Sequence, residues 1–126
     1  MDWIPAPDVE KDLKEVVKNI DFSHVVLENI ICFRSFDSSS RAIARIWNLP
    51  RVWQLALKLP PHYVIEVISE RYDKLSEDNK RRTLIHELMH IPKNFSGALV
   101  SHRGRYHSIN NRTVEKIFRI FLEKIK

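Results

Sequence analysis

The sequence predicts an α+β fold. Three stretches carry apolar residues at helical spacing, and the runs between them are β-branched and aromatic, as strands are. A third observation is local: Ile85-His86-Glu87-Leu88-Met89-His90-Ile91-Pro92 reads H-E-x-x-H in a helical setting.

The first helical stretch runs from Pro7 to Ile20. Val9, Leu13, Val16, Val17 and Ile20 share one face, and an acidic first turn follows the proline. Val25, Val26, Ile30, Ile31, Phe33 and Phe36 then predict a strand that begins near Glu28. Asp37-Ser38-Ser39-Ser40 is a turn. Beyond it Ala42, Ala44 and Ile46 alternate with Arg41, Ile43, Arg45 and Trp47, which predicts a hairpin with the preceding strand. Asn48-Leu49-Pro50 ends that strand, and Arg51 to Leu59, closed by Pro60-Pro61, is a short helix or a loop. Trp47, Trp53 and Tyr63 surround this connection, either filling core or walling a substrate site.

His62 to Ser69 is nearly continuous in apolar residues and reads as a strand buried on both faces. Glu66, its single charge, is placed at an edge, paired with Arg45 or Arg41, or in support of a site. The motif helix runs from Ser76, a capping residue followed by Glu77 and Asp78, to Ile91, where Pro92 stops it. Leu84, Ile85, Leu88, Met89 and Ile91 give it a buried face. After an irregular connection, Val114, Ile117, Phe118, Phe121, Leu122 and Ile125 mark a last helix, capped by Asn110 or Asn111.

At 126 residues the chain is expected to form a single domain spanning 1–126. Its 44% hydrophobic and 29% charged residues belong to a globular protein, not a disordered one. No apolar run approaches the ~20 residues of a membrane span, and the N-terminus lacks a signal peptide's regions. The expectation is a cytoplasmic protein with no membrane partner. Cys32 has no second cysteine to pair with and sits among Ile30, Ile31 and Phe33 as a core thiol. The net charge of +5 is spread along the chain, with weak clusters at Lys80-Arg81-Arg82 and Arg103-Gly104-Arg105. These read as solvated surface, with contact to nucleic acid or an acidic peptide as the alternative.

The chemistry lies in the H-E-x-x-H stretch. With six His and nine Glu in the chain, chance would produce only about 0.02 such patterns. Four residues advance a helix by slightly more than one turn, so His86 and His90 stand one above the other and can share a Zn²⁺. Glu87 reaches a water at the metal without binding it; zinc polarises the water and a substrate carbonyl, and Glu87 takes the proton. A catalytic zinc needs a third protein ligand. His102 and His107 are near equals for it by spacing, with Glu115 more remote. The histidine not used as ligand, Tyr106 or Arg103 is then a candidate to steady the oxyanion. His24 and His62 read as structural.

The blocks Tyr63-Val64-Ile65-Glu66-Val67-Ile68 and Leu84 to Gly97 resemble the metallopeptidases of archaea and phages, a zincin-like group distantly related to SprT-type and minimal gluzincin proteases. The resemblance extends from Cys32-Phe33-Arg34-Ser35 to the final helix. It implies a small zincin-like domain: a three- to four-stranded, mostly antiparallel sheet packed with an N-terminal, an active-site and a C-terminal helix. It also implies His86 and His90 as metal ligands and Glu87 as general base. Leu99-Val100-Ser101-His102 matches a Leu-x-x-His step seen in such relatives and favours His102 as third ligand over His107. The chain departs from metzincins, because Ser96 stands where their third histidine lies, and it lacks an evident gluzincin glutamate unless Glu115 serves.

The function expected is zinc-dependent hydrolysis of peptide or protein substrates, with the strand ending near Ser69 offering its edge to an extended peptide. The alternative is a non-catalytic zinc-containing module that contacts nucleic acid or protein through its basic surface.

Overall fold

A computed structural model describes residues 2–103 and 108–126. In chain order the elements are β1 (Asp2–Pro5), α1 (Pro7–Lys18), β2 (Ile30–Phe36), β3 (Ala44–Asn48), α2 (Arg51–Leu57), β4 (Tyr63–Ile68), α3 (Ser69–Tyr72), α4 (Glu77–Leu88) and α5 (Asn111–Ile125), with a short 3₁₀ turn at Leu27–Asn29. The strands form one mixed sheet in the order β1-β2-β4-β3. Two of its pairings are antiparallel, and β2 runs parallel to β4. The architecture is α+β, compatible with a small zincin-like domain.

One face of the sheet builds the core. Ile30 and Cys32 of β2, Tyr63, Ile65 and Val67 of β4 and Ala44 of β3 are buried together with Val9, Leu13 and Val16 of α1. Leu84, Ile85 and Leu88 of α4 and Val114, Phe118 and Phe121 of α5 complete the cluster. Helix α4 therefore lies in the middle, in contact with β3, α1 and α5. Burial pushes the Cys32 thiol up to about 12, helped by the nearby Glu10 and Asp8 charges, so it remains a core thiol.

The expected hairpin between β2 and the Arg41–Trp47 strand does not form. β3 pairs with β4 instead, setting Arg45 opposite Glu66 and Ile46 opposite Ile65. The reason lies in Glu66, which is wholly buried. A charge taken out of water needs donors. Pairing β3 with β4 delivers the Trp47 indole N–H at 2.9 Å and Arg45 Nε at 3.2 Å, while the Ser35 hydroxyl of β2 donates at 2.5 Å. Burial by itself raises the Glu66 pKa, but these donors outweigh it and hold the carboxyl below its usual range. With neighbours on both sides, β4 has no open edge for a peptide. The edge on that side belongs to β3, another correction to the sequence reading.

Other departures are local. β1 is an edge strand on β2 where no strand was expected, and an edge tolerates its terminal Pro5. The strand expected to begin near Glu28 starts at Ile30, because Leu27–Asn29 form the 3₁₀ turn. Trp47, Trp53 and Tyr63 do not gather. Trp47 packs 6.1 Å from Trp3 on the sheet face away from the helices, Trp53 is exposed on α2, and Tyr63 is buried.

Candidate metal centre

The site is assembled by the end of α4 and the loop that follows. Ser76 caps the helix by accepting the Asn79 N–H, and Leu84, Ile85 and Leu88 fix its inward face. The regular helix ends at Leu88, short of the expected Ile91. Pro92 has no N–H to give the Leu88 carbonyl, which takes that of Ile91 instead, and the last turn tightens. His90 sits in this tightened turn, bonding back to Glu87 through its own N–H at 3.1 Å. It still faces His86, with ring centroids 5.3 Å apart.

Three imidazoles come together. His86, His90 and His102 each offer a ring nitrogen, and these atoms all lie within 4.8 Å of one another. His86 Nε2 and His102 Nε2 are 3.1 Å apart. A metal ion bound at about 2.0–2.1 Å by tetrahedral nitrogen ligands sets them about 3.3 Å apart, close to the His86–His102 separation, so this pair suits a shared ion and the donor types suit one as well. The protonation states fit as well. Burial, then the nearby His90 and His102, hold the His86 pKa down to about 4, so its imidazole is neutral at physiological pH. His90 Nδ1 donates to the Val100 carbonyl at 2.6 Å, which fixes the tautomer and leaves the lone pair on Nε2.

Glu87 stands beside the cluster without joining it. One of its carboxylate oxygens is 4.0 Å from His86 Nε2, and only 9% of the side chain is exposed. Burial pushes its pKa up to about 8. Among the described residues no donor bonds its carboxylate, which opens onto a cavity of about 680 Å³ next to His86. Arg41, Ile43 and Ala44 from the β3 side line that cavity, facing Arg82, Thr83 and Glu115 across it.

The other sequence candidates separate cleanly. Glu115 lies 2.8 Å from Arg82 and is not one of the three clustered groups. His62 Nδ1 donates to the Pro60 carbonyl, and His24 packs on Phe22, both outside the cluster. Ser96 offers its carbonyl to Gln54. Arg103 forms a bridge with Ser108, while His107 and Tyr106 lie outside the described residues.

A loop clamp went unread in the sequence. Tyr63 Oη donates to the Ala98 carbonyl at 2.7 Å and accepts the Gly97 N–H at 2.9 Å. Asn48 donates to the Gly97 carbonyl, and the Gln54 amide to Ser96. Gly97 has φ +90°, and a Cβ there would strike the Gln54 amide and stand 2.6 Å from the Leu49 carbonyl. The segment so held leads directly to Val100 and His102. Tyr63→Phe removes both hydroxyl bonds and is expected to cost about 1–3 kcal/mol of stability, read from Tm. Metal affinity should weaken about tenfold, measured by chelator competition; unchanged affinity would show that the clamp does not position the loop.

The family comparison follows the same residues. A sequence profile for the family described as "Putative phage metallopeptidase" matches residues 1–120. The chain belongs to this phage metallopeptidase family. In this family member the matched span holds every strand, α1 to α4 and all three clustered histidines. A metallopeptidase family and a three-histidine cluster together point to a metal ion. No curated protein and no solved structure matches the chain.

Proposed function

We propose that the chain is a zinc-dependent peptidase of the H-E-x-x-H type, in which His86, His90 and His102 hold the ion and Glu87 is the general base. The observation that carries this is the meeting of three ring nitrogens beside a buried carboxylate that opens onto a cavity. Zinc held there supplies Lewis-acid polarisation of a water and of the scissile carbonyl. Glu87 takes the proton of the attacking water and passes it to the leaving amine. Burial lifts this carboxyl above the ordinary range in the metal-free protein, and a divalent cation held beside it would favour the ionised form, the one that accepts a proton. The β3 edge, whose approach from Arg41 to Ala44 lines the cavity, offers backbone groups to an extended peptide.

The non-catalytic, nucleic-acid reading loses its main support. Lys80 pairs with Glu77, Arg81 with Glu15 and Glu77, and Arg82 with Glu115, so the strongest basic run is already matched by carboxylates. The test is digestion of an unfolded protein mixture, read by mass spectrometry of the new termini. Cleavage should vanish on chelation and return with Zn²⁺. An intact mixture after incubation with zinc-loaded protein would remove the peptidase reading.

A further inference from the structure

Helix α2 is amphipathic in the inverted sense. At about 100° per residue, Leu55, Val52, Ala56, Trp53 and Leu57 fill a continuous arc of about 200°, and Gln54 and Arg51 share the remainder. Gln54 is the helix's buried residue, and its amide seats the helix by donating to the Leu49 and Ser96 carbonyls. The polar side thus faces the protein and the apolar arc faces away. Exposure runs from 44% at Leu59 just beyond the helix to 67% at Val52. Scattered apolar residues on a surface are ordinary, but a contiguous ridge of them marks a contact site.

Charge narrows the occupant. Between Ser38 and Ile65 the chain has Arg41, Arg45, Arg51 and Lys58 and no acidic residue. Arg45 is committed to Glu66. Arg51 and Lys58 bracket α2, and among the described residues neither forms an ion pair. A second copy meeting this ridge across a two-fold axis would bring cations against cations, with no acid in the segment from Ser38 to Ile65 to relieve them. A protein groove would have to enclose more than half the helix, yet the arc offers it only the Trp53 N–H. Specific protein interfaces carry roughly one hydrogen bond per 100–200 Å². A lipid surface wraps any convex apolar ridge, and anionic headgroups complement the flanking cations.

We propose that α2 is a keel that docks the chain on anionic phospholipid surfaces. Val52, Trp53, Leu55, Leu57 and Leu59 enter the headgroup–acyl boundary while Arg51 and Lys58 meet the phosphates. This is attachment to a surface and not a crossing; no described helix is long and apolar enough to span a bilayer. The expectation of no membrane partner rested on span length and signal-peptide features, which are silent about a helix lying on the surface.

The test is co-sedimentation of the full chain with vesicles of phosphatidylcholine alone and of phosphatidylcholine mixed with phosphatidylglycerol. The chain should sediment with the anionic vesicles only, less so at high salt. A Trp53→Ser/Leu57→Ser double variant should bind at least about tenfold more weakly, since it removes large apolar side chains from the insertion. Arg51→Glu/Lys58→Glu, which leaves the apolar ridge intact, should also lose the preference for anionic lipid. Circular dichroism confirms that each variant is folded. Absence of wild-type binding, equal binding to both vesicle types, or full binding by the folded double variant overturns the proposal. A dimer in lipid-free buffer that the double variant dissolves overturns it in favour of a second copy.

Discussion

Glu87→Gln is expected to lower kcat about 10²–10⁴-fold while leaving the metal content unchanged. The amide keeps the size of the carboxyl but cannot accept the proton of a water. Because Glu87 lies outside the three-histidine group, its loss leaves the candidate ligand set intact. The same substitution carries a stability signature in the metal-free protein. Burial raises the folded-state pKa of Glu87 from 4.5 to about 8, so over that interval the folded chain holds a proton that the unfolded chain has released. Stability linked to this group is therefore full below pH 4.5, falls as the pH rises, and has been lost once the pH passes about 8. His86, whose pKa is held down to about 4, works in the opposite direction below pH 6.5, so the signature is a difference: the Tm of the metal-free wild type should fall relative to that of the Gln variant across that window. Activity retained by Glu87→Gln would exclude it as the base; parallel Tm curves would show that its carboxyl is not strained by burial.

What the sequence made legible was mostly local. Ser76 as cap, the inward Leu84, Ile85 and Leu88 and the α5 stripe of Val114, Phe118 and Phe121 follow from spacing and cap chemistry within a few turns. Asn110 is the cap of α5, with its side chain accepting the Thr113 N–H. Strand order was not legible, because the partner of β3 is decided by the buried Glu66, a remote group whose demand for donors has no local signature. β1 was missed because Asp2-Trp3-Ile4-Pro5 is short and its pairing is backbone to backbone. In the candidate site, spacing alone could not separate His102 from His107. The structure brings His102 to the other two, whereas the Tyr63 clamp reaches across 35 residues to Ala98 and left only Gly97 as a hint.

His86→Ala and His90→Ala should each reduce the metal from about one ion per chain to little or none, with affinity falling by more than the ~10–100-fold that follows loss of an outer-shell partner. The two are not equivalent. His86 is partly exposed and its ring nitrogen faces His102, so its removal deletes a donor and disturbs little else. His90 also holds the loop: its ring donates to the Val100 carbonyl, and its own carbonyl accepts the Val100 N–H at 2.7 Å. His90→Ala keeps the backbone bond but strands the Val100 carbonyl, a cost of about 1–3 kcal/mol that should lower Tm even without metal. His86→Ala should leave the metal-free Tm nearly unchanged. His102→Ala gives the sharpest assignment of the third donor, because it should lose the ion as His86→Ala does. If His102→Ala kept the ion and His107→Ala released it, the third ligand would be His107, and the 3.1 Å contact between His86 and His102 would be a hydrogen bond of the metal-free protein only.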